Sequence, residues 1–184
     1  MFAVTTRLLL RPGWPEDADA LFNAINDEAI VRNIASAPWP YKRRDAERFL
    51  ATPRSQLQPN FLIFRSDGQP PQLLGSIGFG DDDDGHLELG YWIARNHWGK
   101  GYASEAGRAV LDIARSLGHA EMRAEHFSDN PASGKVLRKL GFRPTGRTAR
   151  RFSRGRGQET DAVQFSLSLT GDDSGDDVMR DIAA

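Results

Sequence analysis

Apolar and polar positions along this chain follow two periods, and each change of period marks an element. The leucines of Thr6–Arg11 stand between two arginines and stop at Pro12-Gly13, which predicts a strand. Pro15-Glu16-Asp17 opens a helix with acids in its first turn, continued by Ala18, Leu21, Phe22 and Ile25 at helical spacing. A short helix over Asp27–Asn33 and another over Arg44–Leu50 flank the loop Pro38-Trp39-Pro40-Tyr41. An antiparallel meander follows: Phe61–Phe64, a turn at Ser66-Asp67-Gly68, Leu73–Phe79, a hairpin turn at Asp81–Asp84 with Gly85, then His86–Ala94. From Gly101 to Leu117 the period becomes 3.6, with Ala103, Ala106, Val110, Ile113 and Leu117 on one face and Gly118 where a C-cap belongs. Glu121–Phe127 predicts a strand. Asn130 as N-cap with Pro131 behind it opens a helix that buries Val136, Leu137 and Leu140 and ends at Gly141. Arg147–Phe152 and Ala162–Leu169 close the domain as two strands around the loop Ser153–Thr160. With no internal repeat and no linker, residues 1–169 read as one α/β domain. Residues 170–184, with five Asp against one Arg, read as an acidic flexible tail.

Composition removes several chemistries. The 184 residues contain no cysteine, which excludes disulfides, thiolate-bound zinc, iron–sulfur clusters and a cysteine nucleophile. The four histidines, 86, 97, 119 and 126, lack an H-E-x-x-H spacing, and no metal is expected; His97 and His119 read as superficial. No apolar run approaches the length of a membrane helix, and Met1–Arg7 lacks the pattern of a leader, so a cytoplasmic protein without a membrane partner is expected. The net charge of -1 weighs against a dedicated nucleic-acid binder, although residues 143–156 hold six arginines.

The stretch Glu88–Ala106, E-L-G-Y-W-I-A-R-N-H-W-G-K-G-Y-A-S-E-A, carries the strongest chemical signal. It runs from a strand through a glycine turn, Trp98-Gly99-Lys100-Gly101-Tyr102-Ala103, into a helix. Free N–H groups and the positive end of the helix dipole make such a turn an anion cradle, and glycines let the backbone approach a bulky anion. The turn lacks the G-x-x-x-x-G-K-[ST] of a P-loop, so nucleotide hydrolysis is not implied. By spacing alone, an ordinary strand–helix connection fits equally well.

Taken together, the residues resemble the GNAT superfamily of acetyl-coenzyme A-dependent N-acetyltransferases, and within it the ribosomal-protein N-acetyltransferase branch. The signature Q/R-x-x-G-x-G/A falls on Trp98 to Ala103, with Trp98 in place of Gln or Arg. G-Y-W-I at Gly90–Ile93 and W-G-K-G-Y-A-x-E-A at Trp98–Ala106 look like that branch. So does N-x-x-S-x-x-V-L-x-K-L-G-F at Asn130–Phe142, and so do the opening R-L-x-L-R-P and P-x-D-A-x-A-L.

The resemblance implies a mixed, mostly antiparallel twisted sheet with helices on both sides and a splayed central strand pair that admits acetyl-CoA. The coenzyme's pyrophosphate would rest on backbone N–H groups of Gly99, Lys100, Gly101, Tyr102, Ala103 and Ser104, its pantetheine arm would pair at Trp92 and Ile93, and Asn130 would bond near the thiol end. Lys100, Lys135 and Arg138 are candidates for the ribose phosphate. Glu88 is the candidate base, with His86 on its face at period two, or else pairs structurally with an arginine. Ser133 is the candidate acid for the leaving thiolate, or else a helix-capping hydroxyl. Tyr91 alternates away from Glu88, and Tyr102 reads as a packing residue. His126 stands near the cleft or packs beneath it. Trp39 and Tyr41 would line the acceptor site or pack in the core. The implied reaction is direct transfer of acetyl to a primary amine in a ternary complex. The acceptor would be a protein N-terminus, such as that of a ribosomal protein, or a small amine, and the enzyme a monomer or homodimer. The rival readings are a non-catalytic acyl-CoA sensor and an RNA-directed acetyltransferase using the arginines of 143–156.

Overall fold

The computed structural model describes residues 1–66, 71–82 and 84–170. Asp67, Gly68, Asp83 and the segment from Gly171, which include parts of two expected turns and nearly all of the expected tail, lie outside the described residues. Strands β1 (Ala3–Val4), β2 (Leu8–Arg11), β3 (Asn60–Arg65), β4 (Gln72–Asp81), β5 (Leu87–Ile93), β6 (Glu121–Phe127), β7 (Arg143–Ser153) and β8 (Gln158–Ser168) form one sheet in the order β1-β2-β3-β4-β5-β6-β8-β7. Every pairing is antiparallel except β5 with β6. Helices α1 (Ala18–Ile25), α2 (Glu28–Val31) and α3 (Arg43–Ala51) precede β3; α4 (Tyr102–Ser116) is the crossover from β5 to β6, and α5 (Pro131–Lys139) follows β6.

Period two divides the core. Leu8, Leu10, Phe61 and Ile63 join Leu89, Ile93, Ala106, Val110 and Leu137 under α4 and α5. Leu9, Leu62 and Phe64 face the other way, with Leu21, Ile25, Val31, Tyr41 and Ala46 of α1–α3 and their connections. The run Phe61–Phe64 is continuously apolar because both faces of β3 are covered.

Two differences from the expected elements have physical causes. Thr6 and Arg7 of the expected strand do not extend β2: Glu105 takes the Arg7 backbone N–H at 2.9 Å and the hydroxyl of the adjoining Thr5 at 2.6 Å. β7 starts four residues before the expected Arg147, with an irregularity between Pro144 and Thr148. It is an edge strand, exposed over most of its length, so its sequence carries little alternation to read.

The P-x-D segment has a structural purpose. Arg11 donates from both terminal guanidinium nitrogens to Asp17 at 2.7 Å each, and its plane lies between the rings of Trp14 (3.9 Å) and Phe64 (4.1 Å). The Trp14 backbone N–H also donates to Asp17, at 2.8 Å. Burial pushes the Asp17 carboxyl up, but the bonds from Arg11 and Trp14 outweigh it and hold it below its usual range. The pair joins β2 to the start of α1. Removing one partner of a buried pair leaves the other charge uncompensated. Asp17→Ala is expected to destabilise the fold by about 3 kcal/mol, measured by urea unfolding at neutral pH; a loss below about 1 kcal/mol would place this pair with ordinary surface ion pairs.

Candidate active site

β5 and β6 share one registered pair, Glu88 with Arg123, and then part. β4, by contrast, follows β5 from Leu87 to Ile93. The Ala94 N–H donates to the Leu74 carbonyl at 2.7 Å, and Trp92 stands opposite Ser76. Antiparallel alternation therefore turns the backbone of Trp92 and Ala94 toward β4, and that of Tyr91 and Ile93 into the gap left by β6. The Trp98 indole N–H donates to the Ile93 carbonyl at 2.6 Å, in agreement with that direction. Where the chain must come closest, β4 has Gly75: a Cβ there would lie 2.1 Å from the Trp92 carbonyl oxygen.

The gap opens into a cleft of about 1240 Å³. At its mouth Gly99 and Gly101 hold left-handed φ angles of 74° and 82°, conformations that favour glycine. The first bond of α4 runs from the Glu105 N–H to the Gly101 carbonyl, so the N–H groups of Tyr102, Ala103 and Ser104 have no acceptor within the helix. No side chain caps this end. The N-terminus of α5 lies on the same cleft and differs: the Asn130 side chain accepts from the Ser133 N–H at 3.4 Å. Two helix ends thus face one cavity, one closed by its own side chain and one open to an anion.

Glu88 stands where the strands part and lines both this cleft and a smaller cavity of about 230 Å³ beside β6, β7 and β8. Nearby, Arg151 donates to Glu125 at 2.8 Å; that bond raises the guanidinium pKa against the cost of burial, and the charges of Glu88 and Asp82 add to it. Ser133 does not cap α5. Its Oγ lies 2.7 Å from the Tyr91 hydroxyl, so the capping alternative does not describe this serine.

The model of the acetyltransferase (GNAT) domain matches residues 7–143. The uncharacterized N-acetyltransferase p20 of Bacillus licheniformis is 32% identical over 169 residues, which are 89% of this chain and 93% of that protein. The chain belongs to the GNAT acetyltransferase family. The crystal structure of a GNAT-family acetyltransferase from Bacillus anthracis matches with a TM-score of 0.78 and 22% identity, over 93% of this chain and all 100% of that one. A ribosomal L7/L12 alpha-N-protein acetyltransferase, solved with coenzyme A, matches with a TM-score of 0.71 and 18% identity, over 91% of this chain and 98% of that chain. The expected fold, with its mixed sheet and helices on both faces, is the one observed.

Against the family's motifs, the structure brings most expected residues to the cleft and removes several. Glu88, Trp92, Ile93, Gly99, Gly101, Tyr102, Ala103, Ser104, Asn130, Ser133 and Tyr41 line it. Trp92 lines it and packs with the α1–α3 layer while its backbone is turned to β4; of its neighbours, Tyr91 and Ile93 turn their backbone into the gap. Lys100 is directed away, its Nζ donating to the Asn96 carbonyl at 2.9 Å, and Trp39 is exposed outside the lining. Tyr41 is buried among the second core residues, and burial pushes its phenol up to about 12, with the Asp45 charge adding to the shift. Of the expected phosphate cations, Lys135 lines the cleft; Arg138 stacks on Phe165 at 5.4 Å instead, and Lys139, not singled out by the sequence, is a further lysine in the lining. His126 both lines the cleft and packs against Phe165. His97 and His119 are half-buried rather than superficial: His97 lines the cleft and His119 meets the Leu57 carbonyl at 3.0 Å. His86 precedes the strand and lies 3.5 Å from Asp82, so it does not share Glu88's place in the cleft.

The cradle is held from behind by residues that the motifs did not single out for this. Arg7 donates through Nε to Glu105 at 2.7 Å and through a terminal nitrogen to the Lys100 carbonyl at 3.1 Å, and its guanidinium covers the Tyr102 ring at 4.6 Å. Glu105 therefore ties the open end of α4 to the chain entering β2. Burial pushes the Glu105 carboxyl up, yet bonds from Thr5, the Arg7 backbone and the Arg7 guanidinium hold it below its usual range. A lowered folded pKa gives stability that is present at neutral pH and lost as pH falls through that value. Glu105→Gln is expected to lower Tm at pH 7, with the gap to the native protein closing below about pH 4; a gap independent of pH in thermal melts would show that the charge of Glu105 does not hold the loop.

Proposed function

We propose that this protein transfers the acetyl group of acetyl-CoA to a primary amine by direct attack in a ternary complex. The observation that carries the reading is the parting of β5 from β6, with Glu88 at its apex and the uncapped N-terminus of α4 at its mouth. The open N–H groups of residues 102–104, the left-handed glycines and the Ile93 N–H fit a coenzyme's pyrophosphate and the amides of its arm; Lys135 and Lys139 offer charge for its further phosphate. Acetyl-CoA supplies the activated acyl group. Glu88 takes the proton released by the attacking amine, directly or through water, and a backbone N–H of the open row of β5 polarises the acyl oxygen as it develops charge. Ser133 lies across the cleft, on the thiol side. The volume exceeds the ~300–1,000 Å³ of a single small-molecule site, as simultaneous occupation by two substrates requires.

The acceptor we infer is a protein N-terminus, as in the ribosomal-protein branch whose motifs this sequence resembles, with a small amine as the second reading. The likeness in fold to the L7/L12 acetyltransferase supports the first, and the smaller cavity that shares Glu88 as a wall offers a further surface beside the cleft. An RNA acceptor has less support. Arg150, Arg151 and Arg156 are paired with Glu159 or Asp161, Glu125 and Asp129, and Arg154 donates to the Ser36 carbonyl at 3.5 Å.

Two measurements test this reading. Acetyl-CoA is expected to raise Tm by mass action. Gly101→Asp, which puts a side chain at a left-handed φ and a negative charge into the cradle, is expected to abolish that rise; a folded variant with unchanged coenzyme affinity would overturn the placement. In a screen of peptide and small-amine acceptors that follows thiol release, Glu88→Gln is expected to slow turnover by about 10²–10⁴-fold while coenzyme binding persists. A loss under about threefold would mean that water or another group takes the proton.

A further inference from the structure

Tyr91 is a half-buried ionisable group that lines the cleft and has no part in the acetyl transfer proposed above. Its hydroxyl oxygen lies 2.7 Å from Ser133 Oγ and 3.3 Å from the Ser133 carbonyl oxygen. Among the described residues these are its hydrogen-bond partners. The Ser133 N–H is already directed to Asn130. Each hydroxyl carries one proton, and a carbonyl only accepts. When the phenol donates across the 2.7 Å contact, the proton of Ser133 has no acceptor in the protein and is free to point into the cleft.

The chemistry then turns on which oxygen keeps the negative charge. A serine that gives up its proton alone becomes an alkoxide, nearly as basic as hydroxide, whose parent water has a pKa of about 15.7. A phenol is ordinarily near 10. Burial pushes Tyr91 up to about 12, partly countered by its bond to Ser133. The phenolate therefore remains the better resting place for the charge by several powers of ten.

We propose that Tyr91 and Ser133 form a proton relay for the departing thiolate, an inference that rests on the acetyl-transfer reading above. Ser133 Oγ gives its proton to the sulfur as the carbon–sulfur bond breaks. In the same movement it takes the phenol proton, so the O–H bond of Tyr91 breaks and the phenolate remains. Solvent returns a proton to Tyr91 after the products leave, balanced by the proton that the attacking amine released. Tyr91 acts through Ser133 and is a positioning and relay residue; Ser133 alone meets the sulfur.

The test uses Tyr91→Phe, Ser133→Ala, Ser133→Thr and the Tyr91→Phe/Ser133→Ala double variant. It measures Tm, kcat, KM for acetyl-CoA, and Kd for coenzyme A and for desulfo-coenzyme A. Each of the first two variants is expected to lower kcat at least about tenfold with KM and Tm near native, Ser133→Thr is expected to recover much of the loss, and the double variant to fall no further than the slower single. The preference for coenzyme A over its desulfo analogue is expected to shrink in both single variants, because the hydroxyl chain that meets the sulfur is cut. Losses that multiply in the double variant, or a Tyr91→Phe protein with native kcat, would overturn the relay. Should Tyr91→Phe not fold, 3-fluorotyrosine at position 91 keeps the shape and makes the phenol more acidic. The relay then requires a wider preference for coenzyme A, and an unchanged one overturns it. If no amine of the acceptor screen makes the native protein release thiol, the acetyl-transfer reading fails, while the desulfo comparison still reports on the hydroxyl pair.

Discussion

A strand inside a sheet must satisfy two rows of backbone groups, and β5 satisfies only one along most of its length. Its row toward β4 is paired from Leu87 to Ile93, while its other row has a single register position on β6. Burying unpaired backbone groups is costly, so the gap has to be a cleft rather than core. Everything else in the candidate site is arranged around that gap. α4 leaves from its wide end, α5 lies across it, and Glu88 marks the point where pairing stops.

A cleft of this kind stays useful only if its walls do not collapse into it. The N-terminal residues provide much of the bracing. Arg11 and Asp17 fix α1 to β2 on one side of the sheet, and Arg7 with Thr5 fixes the open end of α4 on the other. These two arginines, four residues apart, therefore hold both helical layers against the sheet. Arg156 does similar work at the far edge, where it bonds Asp129, the Arg32 carbonyl and Asn33, joining the β7–β8 loop to the residue that precedes the cap of α5.

How much of this could be read in the sequence depended on whether a residue's purpose is local. The helix over 102–116 and the strand over 121–127 announce themselves by period, and the cradle by glycines that a left-handed φ requires. Asn130 as a cap was legible for the same reason, since its partner is three residues away. β1, two residues long, has no period to detect, and β7 is exposed on both faces over most of its length. Side-chain destinations were the least legible. Lys100 sits in the motif but its ammonium binds Asn96, and Trp39 sits in the expected acceptor loop but leaves the cleft. Tyr91 and Ser133 are separated by 42 residues, and their meeting depends on how far β5 runs before α5 crosses it.

The indole of Trp98 has a consequence for the polarity of the cleft. By occupying the Ile93 carbonyl it removes the outermost acceptor from the strand's open row. What remains bare there is the Ile93 N–H, beside the N–H groups of residues 102–104 at the head of α4. The strand's end and the helix head thus both present N–H donors to the cleft. These donors match oxygen-rich groups such as phosphates and carbonyls better than an ammonium, which brings protons of its own. Hydrogen-bond polarity thus gives the cleft a direction, with donors at the head of α4 and the carboxylate of Glu88 at the point where the strands part.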